Sequence, residues 1–279
     1  MSKMLTLGLC LGMMVSLAAP AARAQNAPPP PAAAPAAPKL EPKALDLLKA
    51  ASAALAGAQS VTFNATSTYE RVALNGQPLF YSSLSQVALQ RPDKLRVITL
   101  GDGTPDEFYY DGKTMSAYIP SLELVAIADA PPTIDKLLDE VWEKAAIYFP
   151  FADVLASNPY AELSKNLRSA FYIGRSIAVG GTTTDMIAIA GDDAAGQIWL
   201  GAEDHLPRKI AVVYAHEPAH ALYQTEFSNW KLGEKVEATA FASEKAAKAK
   251  RIAFSPPGAP KPPAAPEPPA PPQPPVDKK

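Results

Sequence analysis

Hydrophobic positions along this chain recur first at helical spacing, then at every second residue, then helically again, and finally at every second residue once more. Leu40, Ala44, Leu47, Leu48, Ala51, Ala54 and Leu55 repeat at three and four. Pro42 suits a first helical turn and Gly57 an end, so the spacing predicts a helix over 42–57. From Val61 to Ile127 the pattern alternates. Val61, Phe63, Ala65 and Tyr69 fall on one side of a strand, and Thr62, Asn64, Thr66 and Glu70 on the other. Asn75-Gly76, Gly101-Asp102-Gly103 and Asp111-Gly112 interrupt it. Period two broken by Asn-Gly and Asp-Gly describes an antiparallel meander with one wet face. A two-residue turn at Asp111-Gly112 sets Tyr110 opposite Lys113, Tyr109 opposite Thr114 and Phe108 opposite Met115. Phe108, Tyr110, Met115, Ala117 and Ile119 then share a face, and Glu107, Tyr109, Thr114, Ser116 and Tyr118 the other.

Helical spacing returns after Pro131-Pro132. Thr133 can cap, Asp135 favours the N-terminal dipole, and Ile134, Leu137, Leu138, Val141, Ala145 and Tyr148 form a stripe that Pro150 stops. Shorter helices are predicted over 152–156 and 160–167, the second opened by Asn158-Pro159. Strands then resume over 170–179, 184–190, 197–200, 208–214 and 222–230, with a last one near 235–241 or 251–254. The gaps are too short for parallel crossovers, and no solenoid-length repeat is present. The fold class is α+β, mainly β: a curved antiparallel sheet whose concave side is covered by helices.

Composition divides the chain into four parts. Residues 1–24 read as a signal peptide, with Lys3, an apolar run from Leu5 to Ala19, and Ala22-Arg23-Ala24 before a cut at Gln25. Residues 25–39 are an Ala/Pro-rich linker, 40–254 the folded domain, and 255–279 a tail with twelve prolines in twenty-five residues. Neither flank has the apolar bulk to pack, so both are expected to be extended. The signal implies export to the periplasm. Cleavage removes Cys10, the sole cysteine, so burial alone must hold the mature fold. Losing Lys3 and Arg23 takes the formal charge from −2 to −4, which argues against nucleic acid as a partner. No later apolar run is long enough to span a membrane.

Few motifs suggest chemistry. His216-Glu217-Pro218-Ala219-His220 satisfies H-E-x-x-H, in which two histidines on one helical face bind zinc beside a glutamate base. Pro218 lies where that helix would have to continue, and strand patterns flank the segment, so the match reads as a hairpin loop. No G-x-S-x-G or G-x-G-x-x-G occurs, and no cofactor is expected. Trp142, Trp199 and Trp230 are candidates for a pocket wall or a core. Lys245, Lys248, Lys250 and Arg251 form a small basic patch, suited to solvent or to anionic headgroups.

Tyr110-Asp111-Gly112-Lys113-Thr114 with Tyr118 and Pro120 resembles a hairpin of the LolA/LolB lipoprotein-carrier superfamily. Tyr172-Ile173-Gly174, Gly180-Gly181, Ile198-Trp199-Leu200, Leu206-Pro207-Arg208-Lys209 and Phe227-Ser228-Asn229-Trp230 follow in the same order. Within that superfamily the chain is most similar to a family of predicted periplasmic proteins defined as a domain of unknown function. Where its members carry Cys-x-His after the glycine turn, this chain has Thr184-Asp185-Met186, so no role of that histidine is carried over. The resemblance implies an incomplete β-barrel whose apolar concave face is covered by helices and accepts acyl chains. Candidate wall residues are Phe63, Leu95, Val97, Phe108, Tyr110, Ile198 and Leu200, with Leu137 and Val141 from the helical cover. The expected function is non-enzymatic binding of a lipid, an acyl chain or a lipoprotein in the periplasm. Alternative readings are an envelope sensor that engages a protein partner through the proline-rich tail, or a zinc peptidase built on His216, Glu217 and His220.

Overall fold

The computed structural model describes residues 39–216, 221–256 and 258. The predicted signal peptide, nearly all of the linker, most of the proline-rich tail, and Glu217 to His220 of the H-E-x-x-H segment lie outside them.

Among the described residues, twelve strands form one sheet, in the order β12-β6-β5-β4-β3-β2-β1-β11-β10-β9-β8-β7. The first half is a meander: β1 (Ser60–Val72), β2 (Pro78–Gln90), β3 (Lys94–Gly101), β4 (Asp106–Tyr110), β5 (Thr114–Ile119) and β6 (Leu124–Asp129). The second half is another: β7 (Ser169–Ser176), β8 (Thr184–Ala190), β9 (Ala194–Gly201), β10 (Pro207–Tyr214) and β11 (Leu222–Leu232). Pairing of β1 with β11 joins the two halves. The sheet curves without closing, so the barrel is incomplete, as expected. The short β12 (Lys250–Ile252) adds to β6 in parallel. That pairing departs from the all-antiparallel expectation. It arises because the chain crosses from β11 to the far edge through a 3-10 turn at Ala238–Phe241 and the helix α5 (Glu244–Lys248). The predicted strand near 235–241 is therefore a crossover, and the one near 251–254 is the strand.

Helices cover the concave face. α1 (Pro42–Ala56) packs Ala44, Leu48 and Ala51 onto Ala170, Ile187, Ile198 and Leu200. Before it, Leu40 bridges Ala170, and the Glu41 carboxylate accepts from the Tyr172 amide at 3.1 Å, which ties the helix start to β7. α2 (Ile134–Ala145) begins at Thr133, whose hydroxyl accepts from the Lys136 amide. It buries Ile134, Leu137 and Val141 against β3, β4 and β5. The helix ends at Ala145, with Ala146 in the left-handed region, short of the predicted stop at Pro150, and Tyr148 leaves the stripe for the surface. α3 (Ala152–Leu155) and α4 (Pro159–Ser164) complete the cover. The Arg91 guanidinium, at the end of β2, donates to the Leu155 and Ala156 carbonyls at 3.2 and 3.0 Å and holds α3 down.

The β4–β5 hairpin corrects the predicted register. Tyr110 pairs with Met115, Tyr109 with Ser116 and Phe108 with Ala117, two residues from the expectation. Asp111 causes the slip. Its carboxylate accepts from the Lys113 and Thr114 amides at 2.9 and 2.8 Å, so Asp111 flanks the turn and Gly112-Lys113 makes it, with Gly112 at φ 93°. A slip of two keeps every side chain on its face. Phe108, Tyr110 and Met115 accordingly point inward as predicted.

Candidate functional site

Register lines the inward side chains of β1–β6 into rows that run across the sheet. The first row is Val61, Leu89, Leu95, Tyr110, Met115 and Ala128, and the next is Phe63, Val87, Val97, Phe108, Ala117 and Ala126. One step further along the strands the chemistry changes, to Ala65, Ser85, Thr99 and Asp106. Ser67 and Ser83 come next, and then Tyr69 and Tyr81. On the other side of β1, Thr225 stands beside Ser67 and Tyr223 beside Tyr69. The concave face is thus greasy at one end, hydroxyl-lined in its middle and tyrosine-rimmed at the other end.

The helices use up the greasy end. Phe63, Leu95, Val97, Phe108, Tyr110, Leu137 and Val141 fall in one core cluster, and all are at most 2% exposed. Ile198 and Leu200 belong to a second cluster under α1, where the remaining space is about 30 Å³, roughly one water. The Tyr110 hydroxyl is spent on the Pro131 carbonyl at 2.6 Å, and burial, then Asp93 and Asp111, push it up to about 12. Around Phe63, Phe151, Phe227 and Trp230 pack edge-on, tilted and stacked, with ring centroids 5.7, 5.8 and 4.6 Å away. The Trp230 indole donates to the Pro207 carbonyl, so it is a core residue. Trp142 is on the surface against Tyr148.

The cover stops short of the hydroxyl and tyrosine rows, and two cavities open there. The larger, about 460 Å³, is bounded by Ser85, Thr99, Asp106, Phe108, Ala117 and Phe149. The smaller, about 260 Å³, lies among Ser67, Tyr69, Tyr148, Tyr214, Tyr223 and Thr225. Tyr69, Tyr148 and Pro150 border both, so the connection between α2 and α3 forms the partition. Among the nine predicted wall residues, Phe108 alone borders either cavity; the other eight lie beneath the helices or within them.

Hydrogen bonds organise the open end. The Ser67 and Thr225 hydroxyls are 2.9 Å apart and buried, and those of Ser85 and Thr99 are 3.2 Å apart. Tyr69 stacks on Tyr81 with centroids 5.6 Å apart, and Tyr214 meets Tyr223 edge-on at 5.5 Å. Arg71 donates to the Tyr223 hydroxyl at 2.6 Å. The Tyr148 hydroxyl is 3.4 Å from that of Tyr214; the residue is more than half exposed, yet crowding of its hydroxyl away from water, then that contact, raise it above the ordinary tyrosine range. Asp106 keeps solvent access at the larger cavity, yet shielding, then Glu107, push it up to about 6, with Thr99 pulling it back. Such a wall offers apolar contact, hydroxyl donors and acceptors, and a carboxyl that titrates in mild acid. Sequence reading missed these residues, although the parity of β1 and β2 already places Ser67, Tyr69, Tyr81, Ser83 and Ser85 on the side of Phe63 and Val87.

The histidines stand apart from this site. His216 follows β10, exposed, with its Nε2 3.1 Å from the Asp193 carboxylate. His205 is in a turn at φ 57°. Among the described residues, no group of three or more His, Cys, Asp or Glu side chains is placed to hold a metal ion.

Several solved structures are similar to this chain in fold. MucB in the MucA/MucB complex of Pseudomonas aeruginosa is 19% identical over 73% of this chain and 62% of its own, with a TM-score of 0.40. A further MucB structure is 18% identical over 74% and 64%, with a TM-score of 0.42. A LolA superfamily protein from Nitrosomonas europaea is 10% identical over 72% and 98%, with a TM-score of 0.35. The chain spans a little over three fifths of the MucB chains it matches. No curated protein matches the sequence. Among the described residues, no helix is long and apolar enough to cross a membrane. The family described as "Predicted periplasmic protein (DUF2092)" matches residues 44–255, well over half of the chain, and the chain belongs to that family.

Proposed function

We propose that this protein is a periplasmic binding protein that holds an acyl-bearing ligand at the open end of its concave face. One observation carries the reading: two adjoining cavities sit where the helical cover stops, with Phe108, Ala117 and Phe149 on one side and hydroxyls on the other. The larger volume falls in the range of small-molecule sites, which combine apolar walls with a few fixed polar groups. An acyl chain gains about 0.8 kcal/mol per buried CH₂ before ordering costs. Eight of the nine predicted wall residues form the floor and cover behind this opening. They would meet ligand only if the helices lifted, α1 from Ile198 and Leu200, and α2 with the segment after it from the rest. The hydroxyl rows would receive an ester or amide near the head of the chain.

Native mass spectrometry with organic extraction of protein purified from the periplasm tests the reading. A co-purifying acyl species is expected, and Ala117→Phe, which fills the larger cavity, should release most of it while the fold survives. If nothing acyl co-purifies and added fatty acid fails to bind, the reading is lost. Full retention in the Ala117→Phe variant would move the ligand elsewhere.

A further inference from the structure

We propose that the tip of the β1–β2 hairpin is a bilayer-seeking tongue that brings the mouth of the cavities to a lipid surface. β3 reaches only as far as Ser83 and β11 only as far as Tyr69. Beyond these points, among the described residues, no strand flanks the hairpin. Five residues from Tyr69 to the tip carry it about 17 Å further at strand rise.

That projection is apolar where a surface loop is normally charged. From Val72 to Tyr81 there is no charged residue. Leu74 is fully exposed, Phe80 66%, Val72 52% and Leu79 37%. Pairing puts Phe80 across from Glu70 and Leu79 across from Arg71, so exposed apolar side chains point from both faces of the ribbon. A groove on another protein would cover one face of such a ribbon, whereas immersion in a bilayer surface covers both. Part of the polar backbone at the tip is satisfied within the turn, which lowers the cost of entering a water-poor medium. The Ala73 amide donates to the Gln77 carbonyl at 2.9 Å, the Gly76 amide to the Ala73 carbonyl at 2.9 Å, and the Gln77 amide to the Asn75 side chain at 3.1 Å.

Glu70 and Arg71 stand level with Phe80 and Leu79 at the base of the apolar tip, and behind them comes the stacked pair Tyr69 and Tyr81. Tyrosines near charges suit the hydrated zone of a membrane, where an amphipathic ring keeps its hydroxyl wet. Tyr69 also borders both cavities, so a tip lodged among headgroups sets the cavity mouth against the lipid surface. This inference rests on the binding reading for its purpose, but not for its geometry.

The test is flotation of the exported protein with vesicles of phosphatidylethanolamine and phosphatidylglycerol, at low salt and at 0.5 M salt. At the higher salt the screening length falls to roughly 4 Å, so attraction by Lys245 to Arg251 fades while apolar insertion persists. Vesicle binding is expected at both salts, with at least a fivefold loss for Leu74→Asp and for Phe80→Asp. Both side chains are largely solvated, so circular dichroism of either variant should match the parent. A second readout uses an environment-sensitive fluorophore at Leu74→Cys in a Cys10→Ser background, which has one thiol. Its emission should shift to the blue on adding vesicles, and the same label at Asp46→Cys on α1 should not respond. Absence of vesicle binding, loss of binding at high salt, or binding indifferent to both tip variants would each overturn the tongue. Cavity occupancy by native mass spectrometry is measured separately, so an inert tip with a filled cavity would leave the binding reading standing.

Discussion

The two ends of the concave face come from the same strands and have opposite fates. At the covered end, Phe63, Val97 and Phe108 stand side by side in one row, and α2 lies on them with Leu137 and Val141. At the open end α2 no longer covers Ser85, Thr99 and the tyrosines, because it stops at Ala145, and the α2–α3 connection and the edge of α3 at Asp153 and Val154 border the cavities there. Burial by helices provides stability at the first end, and its absence leaves room at the second. Residues chosen from sequence for being apolar therefore lie, Phe108 apart, under or within the helical cover and away from the opening. Apolar surface that stays open to water is costly, whereas hydroxyls and tyrosines tolerate it.

The sharpest way to break this contrast is truncation at the covered end. Leu95 is fully buried between Leu89 and Tyr110 under the helices. Leu95→Ala should cost about 3–5 kcal/mol, read from urea unfolding, while an equal truncation at the open end, Thr99→Ala, should cost under about 1. Similar losses at the two positions would mean that the open end is as firmly packed as the other.

Much of this contrast was legible in sequence, and the reason is periodicity. Period two from Val61 to Ile127 located the first meander, and the stripe Ile134, Leu137, Val141, Ala145 located the helix that covers it. Register was harder. Asp111 competes for backbone amides that a simple Asp-Gly turn would leave alone, and that shifted the β4–β5 pairing by two. The helix α5, which carries Lys245 and Lys248 of the basic patch, went unpredicted, because its one buried residue, Ala246, is too small to announce a buried face. The open end was hidden for a different reason. Which rows a helix covers depends on where α2 ends, and that is set by Ala146 in the left-handed region, at a residue with no turn-forming character. Strands β10 and β11 precede and follow the H-E-x-x-H segment, as its flanking patterns indicated, while Glu217 to His220 lie outside the described residues.

A smaller effect sharpens the boundary between the two ends. Ser67 and Thr225 are both buried, and their hydroxyls satisfy each other across β1 and β11. Ser67→Ala strands the Thr225 hydroxyl and should cost about 1 kcal/mol, with Ser67→Ala/Thr225→Val recovering most of it. Thermal unfolding of the two single variants and the double gives the coupling directly. A coupling near zero would show that water from the smaller cavity already reaches both groups.

The smallest effect concerns the polarity of the larger cavity itself. Asp106 titrates near 6 in the folded protein because the cavity wall shields it, with Glu107 adding repulsion. In the unfolded chain the same group titrates near 4, about the ordinary aspartate value. Between those limits the folded state holds a proton that the unfolded state has released. This group therefore costs the fold nothing below about pH 4, and its penalty grows as pH rises through about 6. Asp106→Asn removes the titration. The stability difference between variant and parent should accordingly favour the variant more at pH 7 than at pH 4, by urea midpoints at both. An identical difference at the two values would mean the wall is as wet as bulk solvent, and the open end would then be an ordinary surface. On the proposed function, an acyl ligand would displace water from beside this carboxyl, deepen the penalty at pH 7 and bind Asp106→Asn more tightly there. Binding that improves in the parent on acidification, and not in the variant, would place the ligand against Asp106.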